Sequence, residues 1–265
     1  MKNLVVLSLC LIGLSFNAQS SFVFGVNIGG FKAHNKTAAM YNGFSLSNPG
    51  IGYYRYGIDN IFNNPLNKPD IDNHFQYPYS IAEYPSDLRY RPGFDIGGMV
   101  GLKDEGGTVY FIEANFAQLK VEDVYVVEIE DPNNLQPGNV LEQNGIVGNE
   151  QRLNLNLGVN IPIAENNGFE TYIPLFANMT STQVRDNYIF VGTQRYTIQH
   201  TIQGITNPRV GGVGFGAGTG IGVSYDLDKY RVGAFYKAIY SKTYMLEDFQ
   251  EYGLNHSLGI SVVWG

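Results

Sequence analysis

From Gly212 to Gly222 every second residue is glycine, and between them stand Val213, Phe215, Ala217, Thr219 and Ile221. Side chains alternate across a β-strand, so this segment has one bare face and one largely apolar face. A soluble sandwich would bury the apolar face and clothe the other with polar groups. Glycine weakens a strand and marks close approach by something else. A narrow closed barrel supplies that something, because small inward residues leave room for long side chains from neighbouring strands. The apolar face then meets lipid.

The two-residue rhythm recurs along the chain. Phe22, Phe24, Val26 and Ile28 oppose Val23, Gly25, Asn27 and Gly29. Phe94, Ile96, Val100 and Leu102 oppose Asp95, Gly97, Met99 and Gly101. Tyr110, Ile112, Ala114 and Phe116 oppose Glu113 and Asn115. Leucines at 153, 155 and 157 oppose asparagines at 154 and 156, and Phe169, Ile173 and Leu175 oppose Glu170 and Tyr172. Tyr230, Val232, Ala234 and Tyr236 oppose Arg231, Gly233 and Lys237, while Leu254, Leu258, Ile260 and Val262 oppose Asn255, Ser257, Gly259 and Ser261. Segments of about ten residues with this alternation are the mark of a transmembrane barrel, and eight are counted.

Turn chemistry supports the count. Residues 103–107 (KDEGG), 164–168 (AENNG) and 226–229 (DLDK) are tight turns, whereas the other connections, about 35–91, 126–147, 182–209 and 242–251, are long. Short periplasmic turns and long extracellular loops alternate in this way in outer-membrane barrels. The segments 124–129, 140–147, 188–191 and 196–202 also read as strands and are taken as hairpin extensions above the membrane; if they crossed it, the count would be ten to twelve. A bulge is expected at Pro174, which has no N–H for its strand. From Tyr252 to Trp264 the last strand is long enough, tilted by about 40°, to cross the hydrocarbon, with an aromatic at each interface.

Residues 1–19 read as a secretory signal peptide: Lys2, an apolar run from Leu4 to Leu14, then small residues to Ala18. The remaining 20–265 form the barrel domain. Cys10, the single cysteine, lies in the leader, so the mature chain has no thiol chemistry. Net charge is −7, which argues against a nucleic-acid partner. An exported chain with no later 18-residue apolar run crosses a membrane as a closed barrel.

The order of strand, long loop, strand and short turn, with a final amphipathic strand ending LGISVVWG, resembles the small eight-stranded bacterial outer-membrane barrels, OmpA-like and PorT-like. The resemblance implies an all-β, antiparallel up-and-down transmembrane barrel in the outer membrane. Here Trp264 is followed by Gly265, where many such barrels end on an aromatic.

Two groups of residues are candidates for a site. The first is an internal ion-pair network of Asp95, Glu113, Glu170, Arg231 and Lys237, filling the lumen because buried charges must be paired. The second is the loop 35–91, with eight tyrosines, three phenylalanines and five prolines. Tyr41, Tyr53, Tyr54, Tyr56, Phe75, Tyr77, Tyr79 and Tyr84 would form either a docking surface or a self-packed lid over the barrel mouth. No cofactor or metal is expected: the run DIDNH at 70–74 lacks calcium-loop spacing, and no helix follows the glycines. Some eight-stranded barrels modify lipid A, but adjacent His256 and Ser257 point to opposite faces. The expected role is non-enzymatic: a structural or accessory subunit presenting its loops to other envelope or surface proteins or to external ligands, within outer-membrane lipid. Secretion or assembly machinery would be one setting, and a narrow solute channel is the alternative.

Overall fold

A computed structural model describes residues 20–265 other than 136, 207 and 208; the leader and Cys10 lie outside the described residues. Eight long strands carry the fold. They are β1 (Ser21–Lys32), β2 (Tyr90–Lys103), β3 (Val109–Ile129), β4 (Val140–Asn166), β5 (Phe169–Val191), β6 (Gly211–Asp226), β7 (Arg231–Leu246) and β8 (Phe249–Trp264). Each pairs antiparallel with its sequence neighbour, and β1 pairs with β8, so the sheet closes without an edge.

The register gives the barrel its shape. Starting at Phe22, the cross-strand partners are Leu102, Tyr110, Val159, Leu175, Thr219, Ala238 and His256, and His256 pairs back to β1 at Lys32. One circuit therefore climbs from residue 22 to residue 32, a shear of ten. Ten steps of about 3.3 Å against eight strand spacings of about 4.8 Å tilt the strands by about 40° and set a backbone radius of about 8 Å.

The exterior is apolar where a soluble protein would be polar. Phe22, Ile112, Leu157, Phe215, Leu258 and Ile260 are all more than half exposed. Such a continuous apolar wall on a closed barrel is a lipid-facing surface. Tyr252 and Trp264, at the two ends of β8, both lie on this outer face, and Tyr252 stacks on Tyr240 at 5.6 Å.

At the periplasmic end, Asn167 and Gly168 both take positive φ, the conformation a two-residue hairpin between right-twisted strands requires. The other end differs from the loop boundaries read in the sequence. β3, β4 and β5 run on well above the hydrocarbon, so the second connection shrinks to 130–139, and β7 and β8 continue to a two-residue turn at Glu247 and Asp248. The segments 124–129, 140–147 and 188–191 extend the hairpins, but 196–202 divides: Gln194–Thr197 pairs with Tyr188–Val191, whereas Gln199–Ile202 leaves the barrel to pair with Tyr53–Tyr56, and eight strands close the barrel.

Pro174 does not make a bulge. It stays in register with Asn160 on β4, and the β5–β6 ladder lapses at Pro174 and Ile173, then resumes in the same register at Tyr172. The missing donor is absorbed by a gap. The register shifts on β4 and β5 lie elsewhere, next to Pro162 and at Arg185.

The connection 33–89 is folded. A 3-10 helix (Asn35–Tyr41) enters the barrel mouth. Two short helices follow, α1 (Ile58–Phe62) and α2 (Lys68–Phe75). Their apolar residues Ile58, Ile61, Phe62, Ile71 and Phe75 pack on Tyr125, Val127, Ile146, Ile189 and Val191 of the strand extensions. A separate small sheet joins Leu46–Asn48, Tyr53–Tyr56, Gln199–Ile202 and Ile205–Thr206.

Candidate functional site: a filled lumen beneath a folded head

The glycine face of β6 is occupied by side chains of an adjacent strand. A Cβ at Gly222 would fall inside the Tyr172 ring, and one at Gly218 would meet the Phe176 ring. These rings come from β5, the neighbouring strand. The bare face is the space in which they lie.

Three polar layers fill the barrel. Near the periplasmic end Arg231 donates to Glu170 at 2.8 Å, beside a cavity of about 60 Å³ that Tyr172, Ser224, Glu113 and Lys237 also line. That volume holds a few waters. At mid-height Lys237 donates to both carboxylate oxygens of Glu113, at 2.5 and 2.6 Å. Asn27 and Asn156 add bonds to the same carboxylate at 2.8 and 3.1 Å. Asp95 is brought to no cation: it accepts from Ser257 Oγ at 2.7 Å. Of the five lumen residues read from sequence, four form two ion pairs and the fifth stands with a hydroxyl.

The uppermost layer was missed. Glu150 and Arg152 are completely buried, with Arg152 Nε at 2.5 Å from Glu150 Oε1. Tyr90 and Tyr41 donate to Glu150 Oε2 at 2.6 and 3.2 Å. Arg152 donates to Thr243 and Asn255 at 3.2 and 3.3 Å and faces the Tyr90 ring at 5.2 Å. Tyr41 lies against Gly148, which has no side chain to exclude it. The inward parity of Asn154 and Asn156, carried back along β4, leads to Arg152 and Glu150; that was the available signal.

The eight aromatic loop residues divide. Tyr41, Tyr53 and Phe75 are buried, and Tyr77, Tyr79 and Tyr84 are half-buried. Tyr54 and Tyr56 remain on the surface, 41% and 44% exposed. Tyr84 stacks on Phe44 at 4.0 Å and donates to Asp59 at 2.6 Å. Tyr79 donates to Asp72 at 2.7 Å. Burial, reinforced by these carboxylates, raises both phenols well above their ordinary value. Arg55, also missed, ties the head together by donating to the carbonyls of Met40 and Phe44 and to Asn42 Oδ1. Its neighbour Tyr53 meets His200 Nδ1 at 2.8 Å. Burial and then the Arg55 charge hold the His200 pKa down at about 4.

His256 and Ser257 are separated by the barrel wall. Ser257 faces the lumen, while His256 faces outward and meets the Tyr236 hydroxyl at 2.7 Å. Among the described residues no group of three His, Cys, Asp or Glu is arranged to hold a metal.

A closed eight-stranded sheet, apolar outside and polar within, defines the class: an outer-membrane β-barrel, resident in the bacterial outer membrane. No protein-family model matches the chain, and no curated protein matches it. Among solved structures, Neisserial surface protein A (NspA) aligns over 92% of this chain and 97% of its own, at 10% identity and a TM-score of 0.42. Ail, the attachment invasion locus protein of Yersinia pestis, in complex with a heparin analogue, aligns over 92% and 99%, at 11% identity and a TM-score of 0.33.

Proposed function

We propose that this protein is a non-conducting, non-enzymatic scaffold that holds a rigid extracellular head for recognition by another envelope or surface protein. One observation carries the reading. The barrel mouth is stoppered by the chain's own 3-10 helix over a completely buried Glu150–Arg152 pair, and the same connection builds a head with its own apolar core. A filled lumen transports nothing, whereas a packed head loses little entropy on binding. The exposed Tyr54 and Tyr56 supply the amphipathic contact area that recognition surfaces use.

Removing residues 40–88 would strip the cover from Tyr125, Val127 and Ile146 as well, so loss of binding would be ambiguous. Tyr54→Ala with Tyr56→Ala is the cleaner test. These side chains are exposed, so the barrel should retain its heat-modifiable electrophoretic migration while partners co-purified in mild detergent are lost. Unchanged partners in the double variant would refute the role of this surface.

A further inference from the structure

We infer that the outer wall of the β7–β8–β1 seam is a binding site for a phosphorylated lipid of the outer leaflet. On the extracellular half, several cations have carboxylate partners: Arg91 and Lys120 share Glu122, Lys68 meets Asp72, Arg89 meets Asp87 and Arg195 meets Asp186. Lys32, Lys36 and Lys242 enter no ion pair among the described residues, and all three converge on one seam. Lys242 is the cross-strand partner of Tyr252, and the Lys36 ammonium donates to the Tyr252 carbonyl at 2.7 Å. Lys32 is the cross-strand partner of His256. Glu251, the nearest carboxylate along β8, points to the other face by strand alternation.

The heights suit a lipid headgroup. Tyr252 and its stacked partner Tyr240 mark the outer interface. Lys32 and His256 sit four residues lower on β8, about 10 Å given the strand tilt. Lysine at that depth extends its ammonium up to the interface, where it joins Lys36 and Lys242. His256 and the Tyr236 hydroxyl, bonded at 2.7 Å, add donor capacity on the same wall. Below them, Gly30 leaves a notch between its cross-strand partners Leu258 and Phe94. Further down, a groove of about 190 Å³ is lined by Val26, Ile28, Ile96, Gly97, Ile260 and Val262. Cations above an apolar groove match a phosphate headgroup above an acyl chain.

The test uses the full-length protein in detergent micelles, titrated with bis-phosphorylated lipid A and with the same lipid enzymatically stripped of phosphate, bound lipid being read by native mass spectrometry. Wild type should retain the phosphorylated lipid preferentially. Lys32→Gln, Lys36→Gln and Lys242→Gln together should remove the preference, each contributing about fivefold, while Lys103→Gln and Lys229→Gln at the periplasmic turns should leave it intact. Should the triple variant fail to fold, Lys242→Glu alone must still weaken retention. Equal retention of both lipids by wild type, or undiminished retention in the variants, overturns the site. Displacement of the lipid by excess inorganic pyrophosphate overturns it too, because it would mark a soluble-anion site.

Discussion

At the residue scale, the barrel is specified by what each glycine admits. The nearest atoms to a Cβ at Gly222 all belong to the Tyr172 side chain, whereas at Gly216 they are the Tyr240 carbonyl and Ser241. The two positions should therefore respond differently. Gly222→Ala should destabilise the barrel by about 1–3 kcal/mol, and Tyr172→Leu in the same chain should recover much of the loss. Gly216→Ala should have no such rescue, since the obstacle is backbone. Urea unfolding of the refolded barrel in detergent, followed by tryptophan fluorescence of Trp264, measures both. Equal costs with no rescue would show that the aromatic ring does not set the requirement for glycine. The Glu150–Arg152 pair obeys a related logic. Arg152→Met leaves Glu150 as a buried charge with only tyrosine donors, a change of roughly 3–5 kcal/mol. Adding Glu150→Gln removes the stranded charge, so the double variant should be more stable than the single one in the same unfolding assay.

At the element scale, the small extracellular sheet should be sensitive to acid. Its His200 has a pKa of about 4 in the fold, against 6.5 for the ordinary side chain. The folded state thus binds fewer protons than the unfolded one between those values. Stability is complete above pH 6.5 and is lost as pH falls towards 4. His34, half-buried at the barrel mouth and near Arg152, is also held at about 4 and adds to the effect in the same window. Amide protection factors in residues 53–56 and 199–202, corrected for the intrinsic pH dependence of exchange, should fall between pH 6.5 and 4 while those of β1 and β8 hold. His200→Gln should flatten much of that response; an unchanged profile would remove the histidine from the explanation. This sheet also marks where the sequence ceases to be legible. Alternation identified the membrane strands because lipid and lumen impose opposite demands on neighbouring residues. The run Tyr53–Tyr56 carries no such contrast, and its partner Gln199–Ile202 lies far along the chain, so local pattern could not pair them. The strand extensions were readable as strands, but their inner faces are apolar because α1 and α2 cover them. That cover depends on a long-range fold of the first connection. Pro174 was read as a break in register, yet a closed sheet holds its neighbours on both sides, and one lapsed rung disturbs it less than a slipped strand.

At the scale of the whole molecule, shear and strand number decide whether anything passes. Eight strands at a shear of ten give a backbone radius of about 8 Å, and side chains occupy most of that interior. Above the cavity beside Arg231 and Glu170, two obstacles lie in series: the upper stopper of Tyr41, Tyr90, Glu150 and Arg152, and the mid-height layer of Glu113, Lys237, Asn27 and Asn156. Obstacles in series must both be removed before ions flow. Wild type in planar bilayers should show no resolved conductance. Tyr41→Gly with Arg152→Ala opens only the mouth and should stay silent, as should Glu113→Ala with Lys237→Ala, which opens only the middle. The quadruple variant joins the enlarged mouth to the cavity beside Arg231 and should conduct small ions. Steps from wild type would mean that the stopper leaves the mouth spontaneously. Steps from the mouth variant alone would show that the Glu113–Lys237 layer is no barrier. Conductance by the wild type would make the scaffold reading yield to the channel, since a head that opens a pore serves passage rather than display.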